Sequence, residues 1–571
     1  MPASSMNAKN LGMKLPIQEN GILPPAVYHQ SSDEIDPVLR HVASDSSLVP
    51  SVEAKIYCLP AEILGKIMLD CEPVHNISWS GGSEPIKLGR VCRWWRDVSL
   101  SIPALWSTFY LGGHGFDLCF DLNTILIIQE QIAQCLRLHL TRSRDALLSL
   151  DIRIVEDPFC HGGLKNILGQ FAQHSHRLRI LRIYALDGGL FWLEPIAESL
   201  PSLESLFVDE DTFCLPEIAV APKLRTVEIF EFDNITVTRR FPWAQITTLK
   251  LRGWAGCLPE LLRFCPQLQD ISMILDRGWG RFDQENPRVI LSHCSRFEMT
   301  WGEGRQEYGD RYHSDDDEAC RNFFDSFSLP TAQNIDFRDQ QICPRLLPLR
   351  HMAPFLERAG TLKELALDRI ILDRCDPVTG ESPLAIILMC VPRLVVLRIS
   401  APHCSSIRHD ESGLEGASGL NIGSRANEGP KDPLQLHHTL LDVLLQGLHP
   451  QLDGQHLVPR LQHLEVSGVD ISVWRLRWKD MWSAVCSRRR GHAFVEGEEM
   501  PGLRRLSISI AASPEARRFQ SRMGDFSKED IDIIVRIDDP WPGRLESAVS
   551  GESDDDIFEF EDYVREEAEL K

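Results

Sequence analysis

The chain has 571 residues, enough at roughly 100 to 200 per domain for several domains or for one long repeat array. Its 43% hydrophobic and 25% charged residues exclude a wholly disordered or collagen-like polymer. A formal charge of −22 argues against a bare nucleic-acid binder, which needs a basic footprint, so no nucleic-acid partner is expected.

Residues 1–50 are polar, with Tyr28 the sole aromatic, and read as a flexible arm. They lack the apolar stretch of a secretory signal. The longest apolar runs in the chain, such as Leu384 to Val391, reach about half the length of a bilayer-spanning helix. The 16 cysteines contain no C-x-x-C pair, the closest two being Cys257 and Cys265, so zinc ribbons and thioredoxin-like sites are not signalled. The expectation is a reduced cytoplasmic or nuclear protein with no membrane partner.

From Leu59, the run Leu59-Pro60-Ala61-Glu62-Ile63-Leu64-Gly65-Lys66-Ile67-Met68 predicts a helix that starts at a proline and keeps Ile63, Leu64, Ile67 and Met68 on one apolar side. A second amphipathic run covers Ile86 to Val98, with Leu88, Val91, Cys92, Trp95 and Val98 as its stripe. Pro103-Ala104-Leu105-Trp106-Ser107 follows.

These pieces, L-P-x-E-I-L, then V-C-R-x-W-R-D, then P-x-L-W-S, resemble in content and order an F-box of the large mushroom-type fungal families, over about residues 55–110. The resemblance implies a non-enzymatic docking module for the adaptor subunit that joins substrate receptors to the cullin of SCF-type ubiquitin ligases. It implies that Leu59, Pro60, Ile63, Leu64 and Ile67 meet the adaptor and that Leu88, Val91, Cys92 and Trp95 complete the helical packing. Which of the nine are interface and which internal core stays open. The competing reading is a small helical cap on the following array.

Residues 120–155 form a lead-in, with a helix predicted over Ile125 to Arg142 and an alternating strand over Leu147 to Val155. A repeat follows over 156–515: a helix-like stretch, a turn, then apolar residues at positions 1, 4 and 6. Clear pieces are Leu178-Leu181-Ile183, Leu203-Leu206-Val208, Leu224-Val227-Ile229, Ile246-Leu249-Leu251 and Leu268-Ile271-Met273, starting 25, 21, 22 and 22 residues apart. Others begin at Ala332, Leu362, Leu394, Leu461 and Leu503. Proline stands two residues before position 1 at Pro201, Pro222, Pro266, Pro392, Pro459 and Pro501, far more often than 35 prolines in 571 residues would place it there by chance.

This pattern resembles a degenerate leucine-rich-repeat array. The fold class expected is α/β: an N-terminal helical F-box followed by a leucine-rich-repeat-like solenoid with a parallel strand face and outer helices. The Asn or Cys usual at the ninth position is replaced by Leu186, Asp211, Phe232, Trp254 and Asp276, so the side-chain ladder that regularises such arrays is missing. Insertions are expected near 302–318 and 405–433, where units are too long.

The period-2 positions between repeat leucines, Arg179, Arg182, Arg225, Glu228, Lys250 and Arg252, are the candidate contacts for an unknown protein client. Trp79, Trp254, Trp279, Trp301, Trp474, Trp478 and Trp482, at or beside proposed loops and strand ends, would suit protein recognition as anchors, although core packing is the expected place for most. No phosphate-binding loop, zinc-protease helix or nucleophile elbow is present, and no metal or cofactor is expected. Residues 546–571 form an acidic tail with 11 Asp/Glu against Arg565 and Lys571, interrupted by Phe558, Phe560 and Tyr563. The two functions expected are a substrate receptor of an SCF-type ligase or, alternatively, a leucine-rich-repeat interaction scaffold without a ligase role.

Overall fold

The computed structural model describes residues 59–70, 84–112, 122–154, 169–185, 199–210, 220–232, 241–253, 258–275, 288–301, 315–339, 349–370, 383–401, 458–469, 471–490, 502–526 and 531–538, with a few shorter pieces between. The expected arm at 1–50, the insertion at 405–433 and the acidic tail lie outside these residues. The chain divides into a unit ending at Pro60 and one from Ala61 to Lys571. All elements below belong to the second.

Three helices open it: α1 (Ala61–Asp70), α2 (Glu84–Leu88) and α3 (Arg93–Ser101), followed by a 3-10 turn at Pro103–Trp106. The continuous helix expected over Ile86 to Val98 is broken. Gly89 and Arg90 form a turn, and Cys92 adopts extended backbone (φ −161°, ψ 174°) as the N-cap of α3, its Sγ accepting from Trp95 N at 3.4 Å. Arg96 Nε closes the corner by donating to Gly89 O at 2.9 Å. A stripe of helical period is therefore shared between two helices and a turn.

A sheet of fourteen strands follows. In order these are β1 (Thr108–Gly112), β2 (Leu148–Ile154), β3 (Leu178–Ala185), β4 (Ser205–Glu210), β5 (Thr226–Phe232), β6 (Thr248–Gly253) and β7 (Asp270–Leu275). Then come β8 (Arg296–Trp301), β9 (Asn334–Asp339), β10 (Glu364–Asp368), β11 (Val396–Ser400), β12 (His463–Ser467), β13 (Arg505–Ala511) and β14 (Asp532–Asp538). Each strand pairs in parallel with the next in sequence, so every connection crosses back to the same end of the sheet. α4 (Leu122–Arg142) joins β1 to β2, and α5 (Leu258–Arg263), α6 (Asp315–Ser326), α7 (Leu349–Glu357), α8 (Pro383–Cys390), α9 (Ile471–Arg490) and α10 (Pro514–Phe526) occupy later connections. The chain is thus an α/β protein built as a parallel-sheet repeat.

The register follows the apolar pattern. Position 4 runs partner to partner from Leu181 through Leu206, Val227, Leu249 and Ile271 to Leu506, and position 6 from Ile183 to Ile508 in the neighbouring column. Both columns are buried and merge with the helix faces into one core. At about 1.5–3 kcal/mol per buried large aliphatic side chain, this core is the main stabilising term of the array.

The prolines have a specific geometric role. At most units among the described residues the position-1 N–H bonds the carbonyl three residues earlier, as in Leu203 N to Leu200 O (3.0 Å), Leu224 N to Ala221 O (3.1 Å), Leu268 N to Cys265 O (3.3 Å) and Leu394 N to Val391 O (3.0 Å). Pro201, Pro222, Pro266 and Pro392 sit second in these four-residue turns, where the fixed φ of proline is pre-set. Pro330 supplies another, before Ala332.

A backbone ladder runs along the start of the strands. From Glu204 to Gln462 the position-2 carbonyl of each unit accepts two N–H groups from the next, as Glu204 O accepts from Arg225 N (3.0 Å) and Thr226 N (3.1 Å). The chain of such bonds continues through Thr247, Gln269, Ser295, Gln333, Lys363, Val395 and Gln462 to Arg504. Main-chain atoms thereby hold a regular register although the ninth-position side-chain ladder is missing.

Two expectations about extent change. The long unit before β9 holds a complete strand, β8, whose Cys294, Phe297 and Met299 fill positions 1, 4 and 6; of the insertion expected near 302–318, residues 302–314 lie outside the described residues and Asp315 to Glu318 begin α6. The sheet also reaches beyond 156–515, from Thr108 to Asp538. Around β8, Phe297, Phe324, Phe327 and Phe355 form a fully buried aromatic cluster with ring centroids 5.3–5.7 Å apart.

Candidate functional site

Two surfaces stand out, one on the N-terminal helices and one on the sheet.

On α1, Leu64 and Met68 are buried, while Ile63 and Ile67, one turn apart at the edge of the same apolar side, are 49% and 40% exposed. Leu69 is exposed as well, and so is Val91 in the turn before α3. Of the remaining residues in the adaptor set, Pro60 is exposed, and Leu59, Leu88, Cys92 and Trp95 are half-buried. Leu64, with no exposure, is core and is unavailable as a contact. Trp95 keeps its indole Nε1 buried with no hydrogen-bond partner, as does Trp94.

These helices are tied to the sheet through Trp106. Its Nε1 donates to Ser99 O at 2.8 Å, its ring meets His139 of α4 edge-on at 4.9 Å, and the Arg142 guanidinium lies 4.3 Å above it. Ser107 O accepts from Ser149 N at 2.9 Å, so Leu105-Trp106-Ser107 ends the helical segment and begins the strand ladder in one stroke. α1 packs so closely against the 3-10 turn that a Cβ at Gly65 would lie 2.7 Å from Ile102 Cδ1.

The sheet face opposite the core carries positions 3, 5 and 7 of each strand. Arg182, Glu228 and Lys250 occupy position 5 and Arg252 position 7. Arg179 and Arg225 do not belong to this face. They sit at position 2, Arg179 as an unpaired residue near the start of β3 and Arg225 just before β5, because an extra residue is accommodated there: Ser149 pairs with Ile180 and Leu148 with Leu178, leaving Arg179 between them. Arg225 turns to its own bend, its Nη1 donating to Pro222 O (3.1 Å) and Leu224 O (2.9 Å).

Charges on the open face are paired across strands. Lys250 Nζ lies 3.3 Å from Glu228 Oε2, Arg338 Nη1 3.2 Å from Glu298 Oε1, Arg398 Nε 3.3 Å from Glu465 Oε2, and Arg505 Nη2 2.8 Å from Asp532 Oδ2. Hydrogen bonding to Asp336 raises the Arg338 pKa further above its ordinary value. A self-paired face of this kind selects by charge pattern more than by net charge.

The residues missed by sequence reasoning are aromatic. Across β1 to β6 a single stack runs along the open face: Tyr110, Arg153, Tyr184, Phe207, Phe230, Arg252. Arg153 lies 5.1 Å from the Tyr110 ring and 4.4 Å from Tyr184, the Tyr184–Phe207 and Phe207–Phe230 centroids are 4.5 and 5.1 Å apart, and Arg252 lies 5.5 Å from Phe230. Phe207 is nearly covered by its neighbours, whereas Tyr184 and Phe230 are half-buried. Desolvation pushes the Asp151 carboxyl beside Arg153 above the usual carboxylate range, against the pull of Arg153 and Arg182. The available signal was an aromatic at strand position 5 or 7 in successive units, hidden among the charges at the same positions.

Trp301, Trp474 and Trp478 are core residues, 5%, 0% and 2% exposed, and so are not surface anchors; Trp79, Trp254, Trp279 and the Trp482 side chain lie outside what the structure describes. Among the described residues, no three His, Cys, Asp or Glu side chains gather as a metal site, and no helix is long and apolar enough to cross a membrane. Compared with known proteins, the chain matches no family model and no curated sequence.

Proposed function

We propose that the protein is the substrate-receptor subunit of an SCF-type ubiquitin ligase, its N-terminal helices docking the adaptor that leads to the cullin and its sheet face binding a protein client. The observation that carries this reading is the split on α1: Leu64 and Met68 complete the core, while Ile63 and Ile67 remain exposed beside the L-P-x-E motif. Exposed isoleucines spaced one turn apart are what a helix offers to a partner groove. The order of L-P-x-E, V-C-R-x-W-R-D and L-W-S supports the same assignment.

Affinity capture with the full chain tests it. Wild type is expected to recover the adaptor and cullin, and Ile63→Asp with Ile67→Asp is expected to lose both while keeping its circular dichroism and melting behaviour, because neither side chain is core. A folded wild type that captures neither subunit would leave an independent interaction scaffold as the function.

A further inference from the structure

We propose that the open face of β2–β6 is a docking site for the chain's own C-terminal segment Asp556–Asp562, which lays Phe558 and Phe560 on the Tyr184–Phe207–Phe230 stack and its flanking aspartates on Arg153 and Arg252. The inference goes beyond the receptor reading and does not depend on it.

Three observations meet here. The first is order. Beyond Tyr110, which packs on the far side of Arg153, the stack reads Arg153, Tyr184, Phe207, Phe230, Arg252, three successive rings flanked on each side by a guanidinium. In an extended segment alternate side chains share a side. On the even-numbered side the tail reads Asp556, Phe558, Phe560, Asp562, a pair of rings closed at each end by a carboxylate.

The second is span. Arg153 and Arg252 stand on β2 and β6, four strand steps apart, or about 19 Å at ~4.8 Å per step. Asp556 and Asp562 are six residues apart, about 20 Å in an extended chain at ~3.3 Å per residue.

The third is charge and reach. Positions 3, 5 and 7 of β2–β6 carry four basic side chains (Arg153, Arg182, Lys250, Arg252) against three acidic ones (Asp151, Asp209, Glu228). The same positions on β7–β14 carry five basic against seven acidic, so an acidic segment is favoured on the first half of the face. β14 ends at Asp538, and the 17 residues from 539 to 555 extend to about 56 Å at ~3.3 Å each. The eight steps from β14 back to β6 cover about 38 Å at ~4.8 Å per step. The tail reaches the stack with length to spare.

The test uses the full chain with a photoreactive benzoylphenylalanine in place of Phe558, irradiated at a dilution that keeps it monomeric. Adducts are expected within one chain, mapping to residues 178–185, 205–210 and 226–232. Arg153→Asp with Arg252→Asp should lower their yield at least tenfold, as should Asp556→Arg with Asp562→Arg, which cannot disturb the sheet. Combining the two pairs should restore the yield. Adducts that map elsewhere, form only between chains, or ignore the charge reversals would overturn the proposal, as would their absence. No adaptor is needed for the readout, so it is decided apart from the receptor function.

Discussion

Phe355 offers the sharpest test of how the array is held together. It projects from α7 with no solvent exposure and meets Phe324 and Phe327 at 5.3 Å and Phe297 at 5.6 Å, joining the helix to β8 and to the segment before β9. Phe355→Ala removes a whole ring from a packed cluster, which costs about 3–5 kcal/mol where the walls cannot collapse. Each strand pairs only with its neighbours, so the loss should stay local. At 1.4 kcal/mol per factor of ten, even ~3 kcal/mol is more than a hundredfold in the local opening equilibrium. Native-state hydrogen exchange should therefore speed up at least a hundredfold in residues 296–301, 327–339 and 349–370, while β3 to β5 keep their wild-type protection. Uniform acceleration through all fourteen strands would refute the neighbour-by-neighbour reasoning. Unchanged exchange would refute the aromatic cluster itself.

Burial pushes the thiols of Cys265 and Cys294 up to about 12, while an unfolded thiol ionises near 8.5. Because the folded values are raised, the stability linked to these thiols is intact below about pH 8.5 and is lost as pH rises toward 12. Urea midpoints should fall between pH 9 and 11 by more in wild type than in Cys265→Ala with Cys294→Ala, and iodoacetamide at pH 8 should reach both thiols only after unfolding. Equal pH dependence in the two proteins would contradict this account. Pro392→Ala frees the unfolded chain at the second residue of the Val391–Leu394 turn and should cost about 0.4–1 kcal/mol, read as faster exchange confined to β11. A stabilised variant would show that the turn is not what that proline serves.

Much of the strand scaffold was legible because one interaction dictates it. Burial requires apolar side chains at positions 4 and 6, so Leu181, Leu206, Val227 and Leu249 announced their common column in the sequence. Where the first position is not leucine and no proline marks the turn, the signal fails: Cys294 is as buried as any leucine but too common in other settings to be diagnostic. β14 was hidden for a similar reason, since Asp532-Ile533-Ile534-Val535-Arg536 shows no alternation strong enough to separate it from a loop. The N-terminal stripe misled because helical spacing persisted across a break at Gly89 that only the Cys92 cap reveals. Exposure on α1 could not be read at all, because Ile63 and Leu64 are equally apolar and differ only in which neighbour is present.

The ladder of position-2 carbonyls sets how freely this protein can diverge. Its donors and acceptors are peptide groups, and the residues that supply them include Arg179, Glu204, Thr247, Gln269, Ser295, Lys363 and Val395, which share no side-chain chemistry. For the frame itself, as distinct from the surfaces it displays, the requirement on sequence is the apolar columns and little else. The stretch between Leu397 and Leu464, three times the length of the shorter units, still returns its strand to the same register. As far as folding is concerned, such a frame tolerates exchange of outward residues and longer crossovers while its strands keep their register. Kinship among chains built on it would then persist in main-chain geometry long after it has faded from the amino-acid string.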